Sequence, residues 1–227
     1  MREMVKAPIN PRDMAALPPL SQLVTAHAGA DAARQGAIWA YDARLAHLAR
    51  TTTEATIGRM RLAWWNDVVD DASGAKGRGE PVVDAMRASG AMAAPGLVAM
   101  IDGWEVLVAE PEIDAAGLRD YAAGRGGGLF RALTGERDIP EWLERAGQVW
   151  ALWDLSGHVG DEQLAQAAQG MARDMLPPEA GPWPRRWKPL RILSTLVRQD
   201  VLAGRRAPTG ISRALALRLL RIGLVGR

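Results

Sequence analysis

Apolar residues return every three or four positions along most of this chain. Ile38, Tyr41, Leu45 and Leu48 form one such series, and Leu97, Ile101, Trp104 and Val108 form another. That spacing lines one face of an α-helix, whereas a half-buried strand needs alternation. No alternating run of useful length occurs. Ala and Leu abound and β-branched residues are sparse, which favours helix over sheet. The pattern predicts an all-α protein of about ten helices.

Punctuation marks where those helices begin and end. The first is expected after Pro18-Pro19, ending near Gly29. Asp31, Asp114 and Asp161 stand where an N-cap is wanted, and Pro81, Pro95 and Pro140 suit helix starts. A third helix is expected from about Glu54 to Asp71, a loop from Ser73 to Glu80, and a short helix from Pro81 to Ala88. Another runs from Asp114 to Gly135, and the last two cover Leu190–Leu202 and Ile211–Leu224. Residues 1–17 have no periodicity and read as a flexible arm. The stretch Pro177–Pro189 holds five prolines and reads as a structured or extended loop. At 227 residues, 18–227 is expected to form one domain.

Composition removes several function classes. There is no cysteine, so disulfides, thiolate metal sites and a cysteine nucleophile are excluded. His27, His47 and His158 lie in separate helical turns, which leaves no histidine metal pair. No apolar run reaches the roughly 18–20 residues of a membrane-crossing helix. The opening MREMVKAPINPRD lacks an apolar core and predicts no secretory leader. There is no Gly-x-Ser-x-Gly elbow. Gly124-Arg125-Gly126-Gly127-Gly128 lacks the Lys-Ser/Thr that a phosphate loop requires; within a helix such glycines permit close approach of a neighbour, or else break the helix before Leu129. A cytoplasmic protein is the expectation.

Charge is unevenly placed. The net charge is only +2, but Arg185 to Arg227 holds eleven basic residues and one acid, Asp200. The remainder is correspondingly acidic. Arg213, Arg218 and Arg221 fall within about 140° of arc on the last helix, with leucines around much of the rest. Such a tail suits an anionic membrane surface, a diphosphate, docking on the protein's own acidic body, or nucleic acid; no nucleic-acid motif accompanies it.

The segment Glu54-Ala-Thr-Ile-Gly-Arg-Met-Arg-Leu-Ala-Trp-Trp-Asn-Asp-Val-Val-Asp-Asp71 resembles the squalene/phytoene synthase family, through its Ile-Gly-x-x-Arg-Leu-x-Trp-Trp-x-Asp pattern. Ala37-Ile-Trp-Ala-Tyr-Asp-Ala-Arg-Leu45 and Leu118-x-x-Tyr121-Ala-x-Gly124 are similar to neighbouring family helices. The likeness covers roughly Leu17–Arg137, and its phrasing leans toward the branch resembling mitochondrial complex I assembly factors. It implies an isoprenoid-synthase bundle with a central cavity, joining two prenyl diphosphates with Mg²⁺. That chemistry needs two Asp-x-x-x-Asp motifs on facing helices, because Mg²⁺ takes carboxylate oxygens and i, i+4 spacing sets both acids on one face.

This chain departs at both places. Asp42 has Ala46 four residues on, and Asp154 is followed by Asp161, seven residues on. Asp67 and Asp71 do carry the spacing, one helix late. With Arg61 and Trp64 they are the candidate binding residues: Arg61 for a diphosphate or a neighbouring acid, Trp64 for a prenyl wall or ordinary packing. Trp64 and Trp65, about 100° apart, should divide between surface and core. The expectation is a family member without Mg²⁺-dependent condensation and without a cofactor. It would bind an isoprenoid or a protein partner, with a possible site at the inner membrane face. The alternative is an active prenyltransferase using Mg²⁺ on Asp67 and Asp71.

Overall fold

A computed structural model describes residues 17–109, 112–177 and 181–225. Apart from Leu17, the expected N-terminal arm lies outside the described residues. Among them there are helices and no strands, as the apolar spacing requires. The helices are α1 (Pro19–Thr25), α2 (Ala32–Thr51), α3 (Ala55–Val69), α4 (Pro81–Ala88) and α5 (Leu97–Ala109). α6 runs from Ala115–Tyr121 through a wider turn, Ala122–Gly127, into Gly128–Thr134. Then come α7 (Glu141–His158), α8 (Glu162–Asp174), α9 (Lys188–Leu202) and α10 (Arg213–Val225).

Most boundaries follow from local chemistry. Asp114 accepts from the Ala116 and Gly117 amides at 2.9 and 2.8 Å, and Asp161 from Gln163 and Leu164 at 2.8 and 3.1 Å. Each satisfies orphan donors of a first helical turn. At α4 it is Glu80 that caps, accepting from Val82 and Val83, while Pro81 supplies the helical φ. Asp31 stands at the head of α2 without capping it. Its carboxylate is taken by Arg34 and Gln35 side chains instead. The Pro-rich loop ends earlier than its prolines suggest: Arg185–Trp187 is a short turn, and Pro189 sits in the first turn of α9.

Nearly all the buried apolar side chains join in one cluster, drawn from α1 to α10. α2 runs through it and buries Ile38, Trp39, Tyr41 and Leu45. The wide turn of α6 lies between α5 and α7, and glycines make that fit possible. A Cβ on Gly103 or Gly124 would collide with the backbone across the α5–α6 contact. One on Gly126 or Gly147 would collide across the α6–α7 contact. The helices there meet backbone to backbone, so the glycine run serves close approach and does not break the helix. The i→i+5 bonding of Ala122–Gly127 inserts one extra residue per turn. It carries Arg125 into the interior.

Candidate functional site: a buried arginine between two aspartates

Arg125 is 4% exposed, although an isolated charge would be strongly penalised there. Its environment supplies the compensation. Nε and Nη2 donate to Oδ1 and Oδ2 of Asp42 at 3.0 and 2.8 Å, a fork-on-fork pair. Nη1 donates to Asp154 Oδ2 at 2.7 Å and to the Tyr121 hydroxyl at 2.6 Å. The guanidinium carbon lies 4.4 Å from the Trp104 ring centre and 4.6 Å from that of Trp150. Both distances are within cation–π range. Trp104 Nε1 also donates to Asp42 Oδ1 at 3.0 Å.

Four helices therefore converge on one cation. Asp42 comes from α2, Trp104 from α5, Tyr121 and Arg125 from α6, and Asp154 and Trp150 from α7. Burial works against the guanidinium charge, but Asp42, Tyr121 and Asp154 outweigh it and hold its pKa well above the usual arginine value. Burial also raises the Tyr121 phenol, so the hydroxyl stays protonated and serves Arg125 as an acceptor.

Arg125, Asp42 and Asp154 line a cavity of about 140 Å³ whose other walls include Trp39, Trp150, Leu20 and the stretch from Ala207 to Ile211. Arg50 and His158 also border it. His158 stands one turn beyond Asp154, with Nδ1 at 2.8 Å from the Asp154 backbone oxygen and 3.4 Å from Oδ1. The position where an Asp-x-x-x-Asp motif would place its second acid thus holds a histidine. Asp161 is spent as the α8 cap.

Comparison with family models, with curated proteins and with solved structures returned no match.

The four binding candidates occupy a different face. Trp65 is buried and Trp64 is 41% exposed, the expected division. Trp64 and Arg61 share an open groove of about 360 Å³ with Arg44, His47, Thr51 and Glu80. Arg61 is exposed and has no acid partner among the described residues; Nη1 donates to Thr52 Oγ1 at 3.3 Å. Asp67, exposed, pairs with Lys76 at 3.3 Å. Asp71 turns into its own loop, accepting from the Ser73 hydroxyl at 2.5 Å and the Lys76 amide at 2.7 Å. The Ser73 and Lys76 bonds hold its carboxyl down at about 2. Neither Asp67 nor Asp71 lines the groove. Among the described residues, no group of three or more His, Asp or Glu side chains is arranged to hold a metal ion.

The single residue that organises the interior, Arg125, was absent from the sequence-based candidates. The signal available was an arginine inside a glycine run. Its acid partners stand 83 and 29 residues away, at a separation no local pattern reports.

Proposed function

We propose that this chain is a squalene/phytoene synthase-type bundle in which the metal chemistry has been replaced by a structural ion cluster, and that it works as a binding factor. The observation that carries this is the Arg125 guanidinium seated between Asp42 and Asp154. Asp42 is buried and Asp154 half-buried, on helices where the resemblance expects metal-binding acids, and both are engaged by a permanent cation. A prenyl diphosphate ionises only when its leaving group is neutralised, which in such enzymes falls to Mg²⁺. The residues present do not fit that ion. Ala46 and His158 stand where second carboxylates are needed, and Asp67 and Asp71 are bound up with Lys76 and Ser73.

The cavity favours a protein partner over an enclosed isoprenoid. A dry cavity of about 150 Å³ holds a benzene-sized molecule. The space beside Arg125 is of that size, and a farnesyl chain has more than twice the carbons of benzene. A bundle of this kind would present its outer faces to a partner, and a peripheral place at a membrane accords with its acid-poor last helix.

The test is incubation with farnesyl or geranylgeranyl diphosphate and Mg²⁺. No pyrophosphate should appear, and Mg²⁺ should leave the melting temperature unchanged. Pyrophosphate release that disappears in Asp67→Ala or Asp42→Asn would restore the prenyltransferase reading.

A further inference from the structure

Much of the basic C-terminal segment is neutralised internally. Arg205 and Arg218 share Asp200, at 2.7 and 2.9 Å. Arg206 pairs with Glu162 and Arg186 with Glu136, at 2.6 and 2.8 Å. Arg213 and Arg221, both exposed on α10, make no ion pair among the described residues. Lys188 and Arg191 act on His27, and their charges help to lower its pKa after burial itself. His27 packs against Gly223 of α10, which brings two further cations to that end of the helix.

α10 is apolar on two sides. Leu215, Leu219 and Ile222 are buried and dock it against α9. Leu217, Leu220 and Leu224 point the other way and are 66%, 55% and 77% exposed. At about 100° per residue these three fall within about 60° of arc, with Arg213 inside that arc and Arg221 about 40° beyond it. Isolated exposed leucines are ordinary, but three in one stripe are not. No acidic residue occurs from Val201 to Val225.

We propose that this outward face of α10 docks on an anionic lipid bilayer, lying flat in its interface. Charge complementarity selects the occupant: the stripe carries two unpaired arginines and no acid, and long basic side chains can bury their stems beside leucine while the heads reach phosphates. A helix exposed along its length offers a ridge, which suits a deformable planar partner. At 13 residues α10 is about 20 Å long, and no described helix is long and apolar enough to cross a membrane. This face is separate from the Arg125 cluster, so the failure of either reading leaves the other standing.

The experiment is flotation of the full chain with phosphatidylcholine vesicles, with and without phosphatidylglycerol. The chain should float with the anionic vesicles, release in high salt, and stay down with phosphatidylcholine alone. Arg213→Glu/Arg221→Glu should weaken partitioning at least about 25-fold, from roughly fivefold per basic residue. Leu217→Gln/Leu220→Gln should weaken it about tenfold or more, with helical content and melting temperature retained. No flotation with anionic vesicles, or flotation that both variants leave intact, overturns the proposal. So does a dimer in solution that the leucine variant converts to monomer, which would make the stripe a protein interface.

Discussion

Replacing Arg125 with Met removes the cation while keeping much of the side-chain volume. Asp42, 4% exposed, then faces Asp154 with no counterion, and both lose their charge-assisted bonds to the guanidinium. Breaking one side of a buried ion pair costs about 3–5 kcal/mol, because the remaining charge is desolvated without compensation. For a chain of this length each kcal/mol moves the melting temperature by about 2–4 °C, so a fall of roughly 6–20 °C is expected. Arg125→Lys keeps the charge but cannot reproduce the fork on Asp42 together with the bonds to Asp154 and Tyr121, and should fall in between. Restoring neutrality with Arg125→Met/Asp42→Leu/Asp154→Asn should recover most of the loss, since apolar replacement of a complete buried network is often neutral. Thermal and urea melts followed by circular dichroism measure all three. A single Arg125→Met variant within about 1 kcal/mol of the parent would refute the view that this cation holds the interior together.

Gly126→Ala should destabilise the fold by at least about 1–3 kcal/mol, since its Cβ meets the Gly147 backbone; Gly170→Ala, with open space on α8, should gain about 0.4–1 kcal/mol by thermal melt. His27 has its pKa lowered below 6.5 by burial, Lys188 and Arg191, so the unfolded chain binds the proton more readily. Stability should therefore decline as pH drops below about 6.5, and His27→Asn should flatten that part of the profile. The Asp71 carboxyl, held at about 2, should titrate there by NMR; its contribution is present above the ordinary aspartate range and lost as pH falls through that value. Ser73→Ala should move the midpoint upward.

The helices were legible because their signals are local. A cap such as Asp114, a start such as Pro81 or a stripe such as Leu97, Ile101 and Trp104 needs only its own neighbours to be read. Asp31 shows the limit: Arg34, three residues on, outcompetes the backbone amides for its carboxylate. The interior cluster was half legible. The departures at Ala46 and Asp161 could be read by spacing, but the residue that makes use of the lone Asp42 and Asp154 could not. Arg125 reaches them where Gly103, Gly124, Gly126 and Gly147 let three helices close upon one another; the run around Arg125 announces a close approach, but Gly103 and Gly147, which meet it from α5 and α7, are lone glycines that look ordinary in their own segments. Asp67 and Asp71 have the right spacing, yet Lys76 and Ser73 from the following loop claim them.

Glycine contacts on both sides of the α6 turn have a mechanical consequence. Where side chains interdigitate, helices can slide by small rotamer changes; where main chains touch, there is no such layer to yield. α5, α6 and α7 are thereby locked in register, and shear along them would drive a larger residue into the adjoining backbone. The hollow beside Arg125 is bounded on its remaining sides by α1, α2, Leu193 of α9 and the stretch from Ala207 to Ile211, and any widening must come from those walls.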